Sequence, residues 1–147
     1  GAPVGSMIAG SREFIEKGRI YRKMFGGGMR QVGVLAAAGR IALEQSPGRL
    51  FIDHQNARRL AQGIAEIPGL RIDAAKVESN IVIFDCRETG LDAVELCEAL
   101  KPHGIWALDT APFSVRFVTH CDVDAEGIER ALRVLGEVAG RARGKTA

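Results

Sequence analysis

Arg22, Lys23 and Arg30 stand around three consecutive glycines, Gly26 to Gly28, in the stretch RKMFGGGMRQVG, which contains no acid. Cations beside successive glycines suit an anion. Glycine lets neighbouring backbone N–H groups turn toward one point, and an arginine adds a planar two-pronged donor. The surroundings strengthen the bias, since residues 11–31 hold six cations against two acids. A helix hairpin with solvated cations explains the same residues without any ligand, and on the residues alone both readings stand.

Other chemistries find less support. His54, His103 and His120 are scattered, and only His120 has a cysteine beside it, Cys121. The spaced ligand set that a zinc site demands is missing, so no metal is expected. No Gly-x-Ser-x-Gly elbow or Walker sequence occurs, and the glycine run follows a helical segment rather than a strand, unlike a dinucleotide fingerprint. Cys86, Cys97 and Cys121 are an odd number with no CxxC pair, which reads as reduced thiols in the cytoplasm.

The elements that position these groups alternate between helix and strand. Residues 4–9 are small and apolar and predict a short buried strand. Ser11 caps a helix through FIEKGRIYRKMF, with Phe14, Ile15 and Tyr21 inward. A second helix is predicted from Met29 to about Gln45 on the stripe Val34, Leu35, Ala38, Ile41 and Ala42, placing Arg30 in its first turn. A third covers 50–66, with Phe51, Ile52, Ala57, Leu60, Ala61, Ile64 and Ala65 inward. Strands follow at 70–73 and 80–86, then a helix opening at Thr89 or Leu91 and ending near Lys101. Further strands are expected at 105–108 and 114–119. Asp124 opens a last helix whose Ile128, Ala131, Leu132, Leu135 and Val138 share a face, and the tail GRARGKTA is expected to fray. The fold class is α/β, with an antiparallel sheet covered on one side by helices.

At 147 residues, 46% hydrophobic and 26% charged, the chain has the composition of an ordinary globular domain. Its formal net charge of +2 argues for neither a nucleic-acid nor a membrane partner. No apolar run reaches the roughly 18 residues of a spanning helix. The opening GAPVGSMIAG lacks the basic region of a signal peptide.

Five strings taken together, GAPVGSMIAGSREFI, RKMFGGGMRQVGVLAAAGRIAL, HQNARRLAQGIA, SNIVIFD and VRFVTHCDVDAEGIERAL, carry a resemblance over nearly the whole chain. It resembles the C-terminal part of the L-threonine aldolases, in the beta-eliminating-lyase group of fold-type-I pyridoxal-phosphate enzymes. The resemblance implies a division into residues 1–27, the end of a large cofactor-binding domain, and 28–147, a C-terminal small domain. It implies pyridoxal 5'-phosphate as cofactor, an amino-acid substrate cleaved to glycine and acetaldehyde, and a homodimer or homotetramer. Arg116 matches the family arginine that grips the substrate carboxylate. Lys23 and Arg30 match cations that approach the cofactor phosphate or substrate region from a neighbouring subunit. The family's Schiff-base lysine would fall upstream of Gly1, so no catalytic residue is expected in this chain, which alone should be inactive. Phe25 and Cys121 depart from the family's usual aliphatic residues. The alternative is a non-catalytic oligomerisation or binding module.

Overall fold

A computed structural model describes residues 1–2 and 4–146. It contains five helices, α1 (Arg12–Met24), α2 (Gly33–Gln45), α3 (Leu50–Glu66), α4 (Ala93–Leu100) and α5 (Ala125–Thr146). Three strands accompany them, β1 (Ile81–Asp85), β2 (Leu108–Ala111) and β3 (Ser114–Val118). The chain divides into two compact units, Gly1–Gly48 and Arg49–Ala147. Helix α2 falls in the first unit.

In the first unit, Ser11 Oγ accepts a hydrogen bond from the Phe14 N–H at 3.3 Å and starts α1 as expected. Residues 4–9, expected as a strand, have no ladder partner among the described residues, and Gly5 at φ +111° takes the chain out of the extended region. No described residue of this unit is buried. Phe14 and Tyr21, expected inward, are exposed, as are Val34 and Ile41, while Ile15, Leu35, Ala38 and Ala42 are half-buried. Their helical stripes are real, yet nothing in the unit is placed to cover them.

The second unit has a core. Its sheet runs β1-β3-β2, antiparallel throughout, with Val82 opposite Phe117 and Phe84 opposite Val115. These four face α3, α4 and α5, whose Ala57, Leu60, Ala61, Ile64, Leu96, Leu100, Ile128 and Leu135 complete the buried cluster. Asp92 and Glu95 form a reciprocal capping box at α4, and Asp124 Oδ1 accepts from the Gly127 N–H at 2.8 Å to start α5.

Four expectations need correction here. Residues 70–73 contribute a single bridge, Arg71 to Asp85, before Asp73 turns the chain into a 3-10 turn. The strand expected at 105–108 pairs at 108–111 instead, because the short connection at Pro112 and Phe113 places the ladder directly beside the hairpin turn. Phe51, Ile52 and Ala65 of α3 are exposed, and the buried positions include Asp53 and Asn56. Helix α5 continues through the tail to Thr146, with Arg141 paired to Glu137 one turn earlier and no proline to stop it.

Candidate functional site

Arg116 lies in the middle of the central strand β3, opposite Ile83 on β1 and Leu108 on β2. Directly opposed residues project to the same face of a sheet, so the three form a row. That face is the one turned away from the core, since the alternate residues Val115 and Phe117 are buried. Ile81 and Val118 make the adjacent row, and the four aliphatic residues of the two rows are all about half exposed. A guanidinium thus rises from a strand between an aliphatic row on one side and the Asp85–Ser114 pair on the other. Its Nε is buried and has no hydrogen-bond partner among the described residues. A buried donor left unsatisfied costs about 1–3 kcal/mol, and an anion reaching this nitrogen recovers it.

The glycine run lies in the first unit and has a definite local structure. Phe25 ends α1, Gly26 takes φ +77°, its N–H donates to the Lys23 carbonyl at 3.2 Å, and the Gly27 N–H donates to the Arg22 carbonyl at 2.8 Å. This is the Schellman arrangement that satisfies the last carbonyls of a helix. Two of the three glycine N–H groups are thereby spent on the helix end, so the run is not an open anion nest. Gly28 allows a different approach, because a Cβ there would stand 3.2 Å from Lys23 Cδ and 3.8 Å from Lys23 Nζ. The lysine side chain folds over it.

Arg30 is not in the first turn of a helix. Helix α2 begins at Gly33, and Val32 at its N-cap offers no side-chain hydrogen bond. Arg30 instead sits in the connecting bend beside Gln31, which adopts φ 50°. Among the described residues neither Lys23 nor Arg30 has a carboxylate within 4.0 Å. Lys17, by contrast, is held by Glu13 at 2.8 Å. Two unneutralised cations and an uncapped helix start fit the phosphate end of a cofactor. They hold nothing suited to its aromatic ring.

No metal set is expected from spacing, yet His120, Cys121 and Asp122 bring one ligand atom each to within 4.8 Å of one another. Adjacent residues in a strand point to opposite faces, which is why the string itself gives no such signal. The chain turns here, with the Val123 N–H donating to the His120 carbonyl at 3.0 Å.

Sequence comparison matches residues 1–87 to the family model described as beta-eliminating lyase. The chain is 46% identical over 130 residues to a probable low-specificity L-threonine aldolase 2 of Arabidopsis thaliana, covering 86% of this chain and 37% of that protein. It is 39% identical over 126 residues to the low specificity L-threonine aldolase of Escherichia coli strain K12, covering 86% of this chain and 36% of that one. Among solved structures, DesI in the presence of its TDP-sugar product aligns with a TM-score of 0.62 at 20% identity, over 76% of this chain and 36% of that chain. The structural neighbours share the fold of the fold-type-I pyridoxal-phosphate enzymes. The chain spans a little over a third of the length of these relatives, 36–37%.

Proposed function

This chain belongs to the beta-eliminating lyase family, and on that premise we propose that it is the C-terminal portion of a pyridoxal-phosphate-dependent threonine aldolase. The reaction is cleavage of L-threonine or allo-threonine to glycine and acetaldehyde. The observation that carries the reading is Arg116, whose buried Nε has no hydrogen-bond partner among the described residues, on the sheet face turned away from the core. The names of the two relatives support the reaction class.

In this reading Arg116 receives the substrate α-carboxylate. Its planar fork fixes the amino acid's orientation as well as its charge, and so aims the Cα–Cβ bond. Ile83 and Leu108 on either side place no competing carboxylate in its own row. Lys23 and Arg30 serve the phosphate end of the cofactor, supplied across a subunit boundary in a homodimer or homotetramer. Pyridoxal phosphate supplies, when bound, an electron sink for the pair released on cleavage. Residues 1–27 close a large cofactor-binding domain and 28–147 belong to the small one, in a cytoplasmic enzyme.

The chain by itself is expected to be inactive. Three of its described lysines are engaged with acids, Lys17 with Glu13, Lys76 with Asp73 and Lys101 with Glu98, and Lys23 lies over Gly28. The deciding experiment compares this chain with a full-length protein that contains it, measuring acetaldehyde released from threonine in the presence of pyridoxal phosphate. Activity in the longer protein alone is the expected result. Activity in neither would favour the second reading, a non-catalytic oligomerisation module, to which the uncovered apolar residues of the first unit also point.

A further inference from the structure

The turn after β3 gathers chemistry that the aldolase reading does not use. His120 Nδ1 stands 3.4 Å from Asp122 Oδ2, and Cys121 Sγ lies within 4.8 Å of both ligand atoms. In a tetrahedral zinc site, bonds of about 2.3 Å to sulfur and 2.0–2.2 Å to nitrogen or oxygen put neighbouring ligands roughly 3.2–3.7 Å apart. One of the three separations already has this value. The others close by rotation of exposed side chains on a backbone that the turn has bent into place.

A second observation concerns what sits beside these ligands. The Arg49 guanidinium lies near the Cys121 thiol. A cation therefore already occupies the neighbourhood. Arg49 also has an alternative partner. Its Nη2 is 4.0 Å from Asp53 Oδ1, beyond hydrogen-bond reach, and that oxygen is buried and unpartnered. A shift of about 1 Å makes the missing bond. Asp53 itself is anchored to the same turn, because its carbonyl accepts from Thr119 Oγ1 at 2.7 Å.

We propose that the turn His120–Asp122 binds a divalent ion of borderline softness, Zn²⁺ foremost, through His120 Nδ1, Cys121 Sγ and Asp122 Oδ2. The Cys121 proton passes to solvent as the thiolate forms its bond to the ion. Arg49 moves from the thiol to Asp53 and satisfies the orphaned oxygen. The weak bond from the Asp122 N–H to His120 Nδ1, at 3.3 Å, is given up. The fourth coordination position is left to water, and His120 and Asp122 also line a cavity of about 300 Å³ together with Trp106 and Phe117. Water fills that position, and a mixed N, S, O donor set with one water suits zinc better than the all-oxygen shells of calcium or magnesium. This inference is independent of the reaction assigned above.

The test is Co²⁺ titration of the reduced full chain near neutral pH, followed by the thiolate-to-cobalt charge-transfer absorption. One Co²⁺ per chain is expected, displaced by Zn²⁺, with about one proton released per ion. The band should vanish in Cys121→Ser and persist in Cys97→Ser. His120→Ala and Asp122→Asn should each weaken binding about tenfold or more. Arg49→Met, which removes the competing cation, should tighten it. No charge-transfer band up to millimolar Co²⁺, a band that survives Cys121→Ser, or an affinity lowered by Arg49→Met overturns the proposal.

Discussion

Arg116 stands opposite Ile83 across the β1–β3 ladder, so directly across from it the guanidinium has an aliphatic neighbour where a carboxylate would have neutralised it. Together with the unsatisfied Nε, this predicts a fork-dependent function. In a full-length protein, Arg116→Lys keeps the charge but loses the planar geometry. It should raise the KM for threonine by an amount corresponding to about 1.5–3 kcal/mol and leave cofactor retention unchanged. Steady-state kinetics alongside cofactor titration separates the two, and an unaltered KM removes Arg116 from the substrate site.

Lys23 and Arg30 predict the converse. Arg30→Ala or Lys23→Ala in the full-length protein should lower affinity for pyridoxal phosphate and spare the apoprotein's melting temperature, because neither residue has an ion-pair partner among the described residues. Equilibrium dialysis of the cofactor measures this. Equal affinity in wild type and both variants would leave the glycine run as a helix end and nothing more.

Gly63 on α3 meets Leu132 on α5 so closely that an added Cβ would lie 2.4 Å from Leu132 Cδ1 and 3.0 Å from its Cγ. Alanine brings a helix-propensity gain of about 1 kcal/mol, but overpacking typically costs about 1–3 kcal/mol. We expect the crowding to win here, since Leu132 is itself 9% exposed and has little room to retreat. Gly63→Ala should lower the urea midpoint, and adding Leu132→Ala should recover part of the loss attributable to the clash.

Burial pushes the Cys86 thiol up to about 11 from its ordinary 9.0, with Asp85 reinforcing the shift, and Cys97 moves in the same direction. A raised thiol pKa means that the folded state holds its proton longer than the unfolded chain. The associated stability is whole below pH 9 and falls as pH rises toward 11. For Cys86 it amounts to about 2–3 kcal/mol. Urea unfolding across that range should show the decline, and Cys86→Ala, though less stable throughout, should show a shallower one. At neutral pH a thiol reagent should modify Cys121 quickly and the two buried cysteines only on unfolding.

Periodicity identified what depends on a residue and its near neighbours. The stripe Ala57, Leu60, Ala61, Ile64 follows helical spacing and is buried, and the β-branched run Ile81 to Ile83 is a strand of the sheet. It failed where distant partners decide. Asp53 and Asn56 are buried because Thr119 and Val123, more than sixty positions away, come to rest against α3, with the Asn56 amide donating to the Val123 carbonyl at 3.0 Å. No local pattern encodes that. Arg116 was marked by resemblance to a family motif, and its strand by composition. Its uncovered face follows only from the register with Ile83 and Leu108. The convergence of His120, Cys121 and Asp122 needed the turn itself.

The absence of any buried residue among those described in the first unit has a calorimetric consequence. The heat capacity of unfolding reports apolar surface newly exposed to water, at about 12–15 cal/mol/K per residue of ordinary globular structure. Melting α1 and α2 exposes little that water does not already touch. The whole chain should therefore unfold with a heat-capacity increment near 1.2–1.5 kcal/mol/K, the value for roughly 100 residues, rather than the roughly 1.8–2.2 kcal/mol/K that its 147 residues suggest. Its stability curve should be correspondingly flat, so that cooling the protein costs it less than its length implies.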